Sequence, residues 1–279
     1  MPINNVSDTA RWVAYYRAME SERPDAIFRD PFARQLAGPE GERIVRELPQ
    51  GVAWAPPLVV RTAVLDEMIQ ARIADGADLV LNLAAGLDTR PWRLPLPATL
   101  RWIDVDLPGI LDYKTTELRD ATPVCRYEAI ATDLTDPVAR DATLARATQG
   151  CRQGLVITEG LLIYLDPADA LALGTALHAQ PRLVWWLFDI ASPALLQNIS
   201  RRQGDGLRNA PFRFAPAEGT AFFAPAGWRE VEFRSAMESA RTLHRDMKWA
   251  WLWRLMSRLG PAGQREQFRR LSGVALLHR

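Results

Sequence analysis

Four short segments, each closing an apolar run, hold the residue types best suited to chemistry. Asn82-Leu-Ala-Ala-Gly-Leu-Asp-Thr-Arg90 puts small residues at 84, 85 and 86, where a ligand can come close to the backbone. Asp104-Val-Asp106 follows eighteen to twenty residues beyond Gly86. A carboxylate there can accept both hydroxyls of a nucleoside ribose, and it can equally cap a helix beginning near Pro108. Strand alternation sends 104 and 106 to one face, and Asp106, at the tip, is the one placed for a ribose. Thr132-Asp-Leu134 offers a carboxylate for an exocyclic amine and an apolar side chain for a ring face. Thr158-Glu-Gly-Leu-Leu-Ile-Tyr164 brings Glu159 out of an apolar stretch. A carboxylate so placed needs a partner, either a bound sulfonium or ammonium or an arginine of the chain.

Other chemistries have little to work with. Lys114 and Lys248 are the only lysines. Cys125, Cys151, His178, His244 and His278 lack zinc-ligand spacing, so neither a metal site nor a disulfide framework is expected, and a reducing compartment is. His178 and His244 fall on predicted helices away from the strand tips, and His278 ends the last strand; all three read as structural or exposed. No general base stands out. The net charge of +1 gives no global field for nucleic acid or an anionic membrane. Residues 201–279 carry 15 basic and 7 acidic groups, read as the solvated sides of helices rather than a nucleic-acid surface. The apolar stretches around Leu79–Leu87 and Leu183–Ile190 are far short of the roughly 20 residues a membrane span needs, and Met1–Asp8 has no apolar signal segment. A soluble, cytoplasmic chain is the expectation.

Periodicity supplies the elements that would position these residues. Ala10–Glu22 is amphipathic, with Trp12, Tyr15, Tyr16 and Met19 at helical spacing. Asp30-Pro31 is a helix start, predicting helices over Pro31–Ala37 and Glu40–Leu48. Pro56-Pro57 reads as a break before a helix over Leu58–Ala74. From Asp78 strands and helices alternate, with strands at Asp78–Ala84, Arg101–Val105, Tyr127–Ala131, Leu155–Thr158 and Leu183–Ile190. Helices are predicted over Pro108–Arg119, Pro137–Thr148 and Pro167–His178. Alternation of this kind predicts a parallel sheet covered on both faces. Trp228–Arg234 and Ser272–Leu277 would bring the sheet to seven strands. A helix is predicted over Arg245–Leu259, with Trp249 and Trp253 on its packing face. The segment Ser192–Arg245, with Phe212, Phe214, Phe222, Phe223 and Trp228, reads as part of an acceptor pocket wall. The chain reads as one domain, 1–279: a helical lid over 1–75 and an α/β core over 76–279 with C-terminal helical insertions.

Leu81–Arg90, Asp104-Val-Asp-Leu-Pro108, Thr132-Asp-Leu134 and Thr158–Leu165 together resemble the leucine carboxyl methyltransferase family. The nearer likeness is to its bacterial branch of small-molecule O-methyltransferases, associated with polyketide-type natural products. Tyr16–Asp25, Phe28–Phe32 and Val60-Arg-Thr62 with Asp66 resemble that family's helical preface, and the likeness runs over about residues 10 to 195. Ala84 and Ala85 depart from its glycine turn, a small change in size. The resemblance implies a Rossmann-like, S-adenosylmethionine-dependent methyltransferase fold and a small-molecule acceptor. By the same resemblance Gly86, with Ala84, Ala85 and Asp88 beside it, lines the methionine end of the cofactor. Asp106, followed by Leu107, takes the ribose, and Asp133 and Leu134 the adenine. Glu159 faces the amino or sulfonium end, and Tyr164 lies near the acceptor. Arg17 and Arg61 hold the cofactor carboxylate or an acid group of the substrate, although the residues alone read as a solvated helix face. Methyl transfer from a sulfonium is an in-line displacement. A carboxylate acceptor needs no base, whereas a hydroxyl would be helped by one, which leaves Glu159 and Tyr164 as the catalytic candidates. Three rivals stand beside this reading: a nicotinamide-dependent oxidoreductase, for which the G-x-G-x-x-G turn is missing; a non-catalytic ligand binder; and a protein C-terminal carboxyl methyltransferase.

Overall fold

A computed structural model describes residues 6–48, 51–203, 211–246 and 262–279. Helix α1 (Val6–Ser21), α2 (Ala33–Glu47) and α3 (Ala55–Ala74) come first. There follow β1 (Leu79–Leu83), the short α4 (Arg90–Arg93), β2 (Arg101–Asp106), α5 (Pro108–Glu117), β3 (Arg126–Ala131) and α6 (Pro137–Ala147). Next are β4 (Gly154–Thr158), α7 (Pro167–His178), β5 (Leu183–Ala191) and α8 (Pro193–Gln203). The described residues close with β6 (Arg229–Ser235), α9 (Ala236–Thr242), α10 (Ala262–Arg269) and β7 (Ser272–His278).

The seven strands form one sheet in the order β3-β2-β1-β4-β5-β7-β6, with β7 antiparallel to both neighbours. This is the expected mixed α/β, mostly parallel sheet. β1 and β4, central in that order, are buried at every residue, which is why they read as largely apolar runs. The strand order reverses between them, the place where an open α/β sheet leaves a crevice at its carboxyl edge. One core layer packs Leu81, Leu83, Ile103 and Val156 with Trp186 and Phe188; the other packs Val80, Trp102, Leu155 and Leu187 with Val64, Leu65 and Met68 of α3. No helix among the described residues is long and apolar enough to cross a membrane.

Several boundaries move for identifiable reasons. The two helices expected over 31–48 are one kinked element, with Gly38 at φ 58 followed by Pro39. It begins at Ala33 rather than Pro31, because Asp30 turns inward. Its Oδ1 accepts the Phe32 amide at 3.1 Å, while Oδ2 accepts from Arg17 and Thr89. Pro56 and Pro57 do not break α3 but occupy its first turn, where a missing N–H costs nothing. Phe223 and Trp228, expected on an acceptor wall, instead pack in the core with ring centroids 4.6 and 5.5 Å from Trp186, and Trp228 Nε1 donates to the Gly174 carbonyl. Of the helix expected over Arg245–Leu259, Arg245 and Asp246 are not helical and the rest, Trp249 and Trp253 included, lies outside the described residues.

Candidate cofactor and acceptor site

A cavity of about 350 Å³ opens at the carboxyl edge of β1, β2, β4 and β5. Its floor is the turn 84–88, Asp106-Leu107, residues 159–161 and Asp189–Ala191; Trp12 and Arg17 of α1 and Leu58 and Arg61 of α3 close over it. Tyr164, Leu195, Ile199, Phe212 and Phe214 make an apolar side, where the Tyr164 and Phe212 rings lie 5.5 Å apart. Helices α1 and α3 thus border the cavity at the strand ends.

The turn after β1 is tight. Ala84 has φ 53 and Gly86 φ 52, a region costly for a side chain, and a Cβ on Gly86 would sit 3.3 Å from Ala10 Cβ. Glycine therefore allows α1 to settle directly on the turn. Asp106 faces the turn from the tip of β2. Its Oδ2 accepts the Gly86 amide at 2.6 Å and its Oδ1 the Leu107 amide at 2.7 Å, and it forms no salt bridge among the described residues. Burial pushes its carboxyl above the ordinary value, against the two amides that lower it. The helix after β2 takes Leu107, not Asp106, as its cap position.

Arg17 and Arg61 are not on a solvated face. Arg17 Nε donates to Asp30 at 2.8 Å and its Nη2 to the Leu87 carbonyl at 2.6 Å. Arg61 lies between Asp189 and Glu159, each at 3.0 Å. Glu159 also receives Arg90 Nη1 at 2.8 Å, so in this structure its partners are arginines of the chain. Burial raises its pKa, but Arg90 and Arg61 outweigh that and hold the carboxyl below the usual value. Asp88 receives the same Arg90 nitrogen at 2.7 Å and the Asn82 amide group at 3.0 Å, and Arg90 and Lys114 bring it down to about 2 despite burial. Burial raises the Tyr164 hydroxyl.

The structure therefore gathers Arg17, Arg61, Ala84, Ala85, Gly86, Asp88, Asp106, Leu107, Glu159 and Tyr164 around one cavity. Asp133 and Leu134 lie outside its lining. Asp133 is exposed and its carboxylate accepts from the Thr135 amide and hydroxyl, while Leu134 packs against the core. His178, His244 and His278 are likewise not on the wall. Among the wall residues that sequence reasoning passed over are Asn82, Arg90, Arg93, Asp189 and Arg234. Asn82 and Asp189 had a signal, a lone polar residue inside an apolar strand; Arg90 had none beyond its place in the turn motif.

Known proteins are similar to this chain in sequence and in fold. The leucine carboxyl methyltransferase family profile matches residues 10–177. A Streptomyces coelicolor protein named "Putative S-adenosyl-L-methionine-dependent methyltransferase" is 37% identical over 180 residues, 59% of this chain and 61% of its own length. A Mycolicibacterium smegmatis protein of the same name is 38% identical over 183 residues, 60% of each chain. The chain thus spans about six tenths of the length of these relatives. Among solved structures, a DUF574 family protein from Streptomyces avermitilis superposes with a TM-score of 0.61 over 97% of both chains, at 17% identity. A "putative methyltransferase" from Thermobifida fusca gives 0.58 over 100% of this chain and 96% of its own, at 14% identity. The structural likeness establishes the fold. With its profile spanning more than half of the sequence, this chain belongs to the leucine carboxyl methyltransferase family.

Proposed function

We propose that the chain binds S-adenosylmethionine in the strand-edge cavity and catalyses methyl transfer to an oxygen of a small-molecule acceptor. The observation that carries this reading is Asp106. Each of its oxygens holds one backbone amide and keeps lone-pair capacity for a hydroxyl, and no cation of the chain pairs with it among the described residues. An acid without an ion-pair partner among the described residues, beside a turn at φ 52 on a cavity wall, fits the diol of a ribose. The family, and the relatives named as S-adenosylmethionine-dependent methyltransferases, support the cofactor and the reaction class.

In this reading Ala84, Ala85, Gly86 and Asp88 line the methionine end and Asp106 with Leu107 the ribose. Glu159 faces the cationic end, and Arg17 and Arg61 the carboxylate side. S-adenosylmethionine supplies a methyl group already activated on a sulfonium, so alignment can provide much of the rate. Glu159, ionised between two arginines, is a weak proton acceptor and acts through its charge. Tyr164, whose hydroxyl burial keeps protonated, serves to orient the acceptor against the apolar side. With no histidine among the described wall residues and Glu159 held by two arginines, an acceptor oxygen already ionised near neutral pH fits best, a carboxylate before a hydroxyl.

The test is turnover, followed as S-adenosylhomocysteine release over panels of small carboxylic acids and phenols. Glu159→Gln is expected to weaken cofactor binding by about tenfold or more, from loss of a charged contact. Tyr164→Phe is expected to lower turnover with cofactor affinity unchanged. If neither variant differs from the native chain, both roles are wrong.

A further inference from the structure

Arg90 keeps only 2% of its surface exposed, and its single guanidinium gathers carboxylates from three separate elements. Nε donates to Asp66 on α3 at 2.6 Å. Nη1 donates both to Asp88, on the turn after β1, at 2.7 Å and to Glu159, just past β4, at 2.8 Å. We propose that Arg90 is the positioning residue of the cofactor site: it sets the spacing of Asp88 and Glu159 and pins helix α3 to both through Asp66. This rests on the methyltransferase reading, since it takes those two acids as the ones that face the cofactor.

Two carboxylates on one nitrogen are close neighbours of like charge, and at that range one of them resists ionisation unless a cation stands between them. Arg61 shares Glu159 and lies against Asp189, and Arg93 shares Asp66, but Asp88 forms no ion pair except with Arg90 among the described residues. Behind Asp88, Asn82 bridges to Asp104, whose charge is met by Lys114. The planar fork of an arginine can serve three acids in different directions, whereas a lysine ammonium is a point charge on one flexible stem. The native pair accordingly stays ionised, with burial outweighed by Arg90 together with Lys114 at Asp88 and by Arg90 together with Arg61 at Glu159. Without Arg90, one of the pair takes up a proton at a pH where both are now charged.

The experiment is calorimetric binding of S-adenosylhomocysteine to the native chain, Arg90→Met and Arg90→Lys, between about pH 5.5 and about pH 8. Native affinity is expected to be flat as far as Asp88 and Glu159 are concerned. Arg90→Met is expected to bind about tenfold more weakly or worse near neutral pH, from loss of charged hydrogen bonds, and weaker still toward acid. A merely structural role would not produce that slope. Binding within about twofold of native, with no pH slope, overturns the proposal. If Arg90→Met does not fold, Arg90→Lys decides: a loss of about tenfold in a folded variant supports the fork, and native affinity overturns it. Failure of the native chain to bind the probe defeats the methyltransferase reading and this inference with it. Native binding with indifferent variants defeats the inference alone.

Discussion

Replacing Asp106 by alanine isolates the central contact. The carboxylate sits where it can accept two ribose hydroxyls, and each hydrogen bond to a charged group contributes about 1.5–3 kcal/mol. Taking the low end for each of two bonds at a partly open site, the loss is about 3 kcal/mol, on the order of a hundredfold in affinity. Alanine is cleaner than asparagine here. Both Asp106 oxygens face backbone N–H groups, at 2.6 and 2.7 Å, so an asparagine NH2 would meet a donor. The amides of Gly86 and Leu107 border the cavity, where water can satisfy them after truncation. Thermal melting with S-adenosylhomocysteine reads the effect. At a ligand concentration of about a hundred times the native dissociation constant, binding stabilises the native chain by about 2.7 kcal/mol. At about 2–4 °C per kcal/mol, that is a rise of roughly 5–10 °C. In Asp106→Ala the same concentration only matches the weakened constant, and the rise shrinks to about 1 °C. Equal ligand-induced shifts in the two proteins would refute the ribose assignment, whatever the variant does to the ligand-free melting point.

Acid should separate binding from folding. Desolvation raises the pKa values of Asp30, Asp88 and Glu159, but Arg17 and Arg93 at Asp30, Arg90 and Lys114 at Asp88, and Arg90 and Arg61 at Glu159 reverse the sign, and Asp88 falls to about 2. Depressed folded-state values contribute stability that is present above the unfolded values and lost as pH falls through the folded ones. Melting temperature is therefore expected to drop steeply only below about pH 4. Asp106 is shifted the other way, upward, by burial, so its accepting form is lost first. S-adenosylhomocysteine binding is expected to fade at a higher pH than the fold, and parallel loss of the two would contradict this. Within the core, Lys114 and Asp104 are both 0% exposed and pair at 2.5 Å, so Lys114→Met strands a buried carboxylate. The cost is about 3 kcal/mol, the low end for a broken buried pair, because Trp102, Tyr127 and Asn82 still donate to Asp104. A melting temperature lower by roughly 6–12 °C is expected, with most of it restored by adding Asp104→Asn. A single variant as stable as the native chain would show that the pair contributes nothing.

The two central strands were legible because they are buried on both faces, so that Leu79–Leu83 and Gly154–Thr158 read as largely apolar runs. Gly86 and Asp106 were legible because a small-residue turn and an acid at a strand tip each have a local physical reason. Arg17 and Arg61 were misread as solvated because helical spacing tells that a face exists but not that it meets the charged edge of a sheet. The chain of pairs Arg17–Asp30, Arg90–Asp66 and Arg61–Asp189 joins residues 13, 24 and 128 positions apart, beyond what local pattern can reveal. Arg90 illustrates the difficulty: an arginine after a turn reads as surface until the three acids around it are placed. Asp133 shows the opposite case, an acid at a strand end that satisfies itself locally with Thr135.

The most direct test is calorimetric titration of the unmodified chain with S-adenosylmethionine, S-adenosylhomocysteine and NAD in turn. The first two are expected to bind at one site per chain, and NAD is expected not to bind. Binding of NAD alone, or of none of the three, would contradict it.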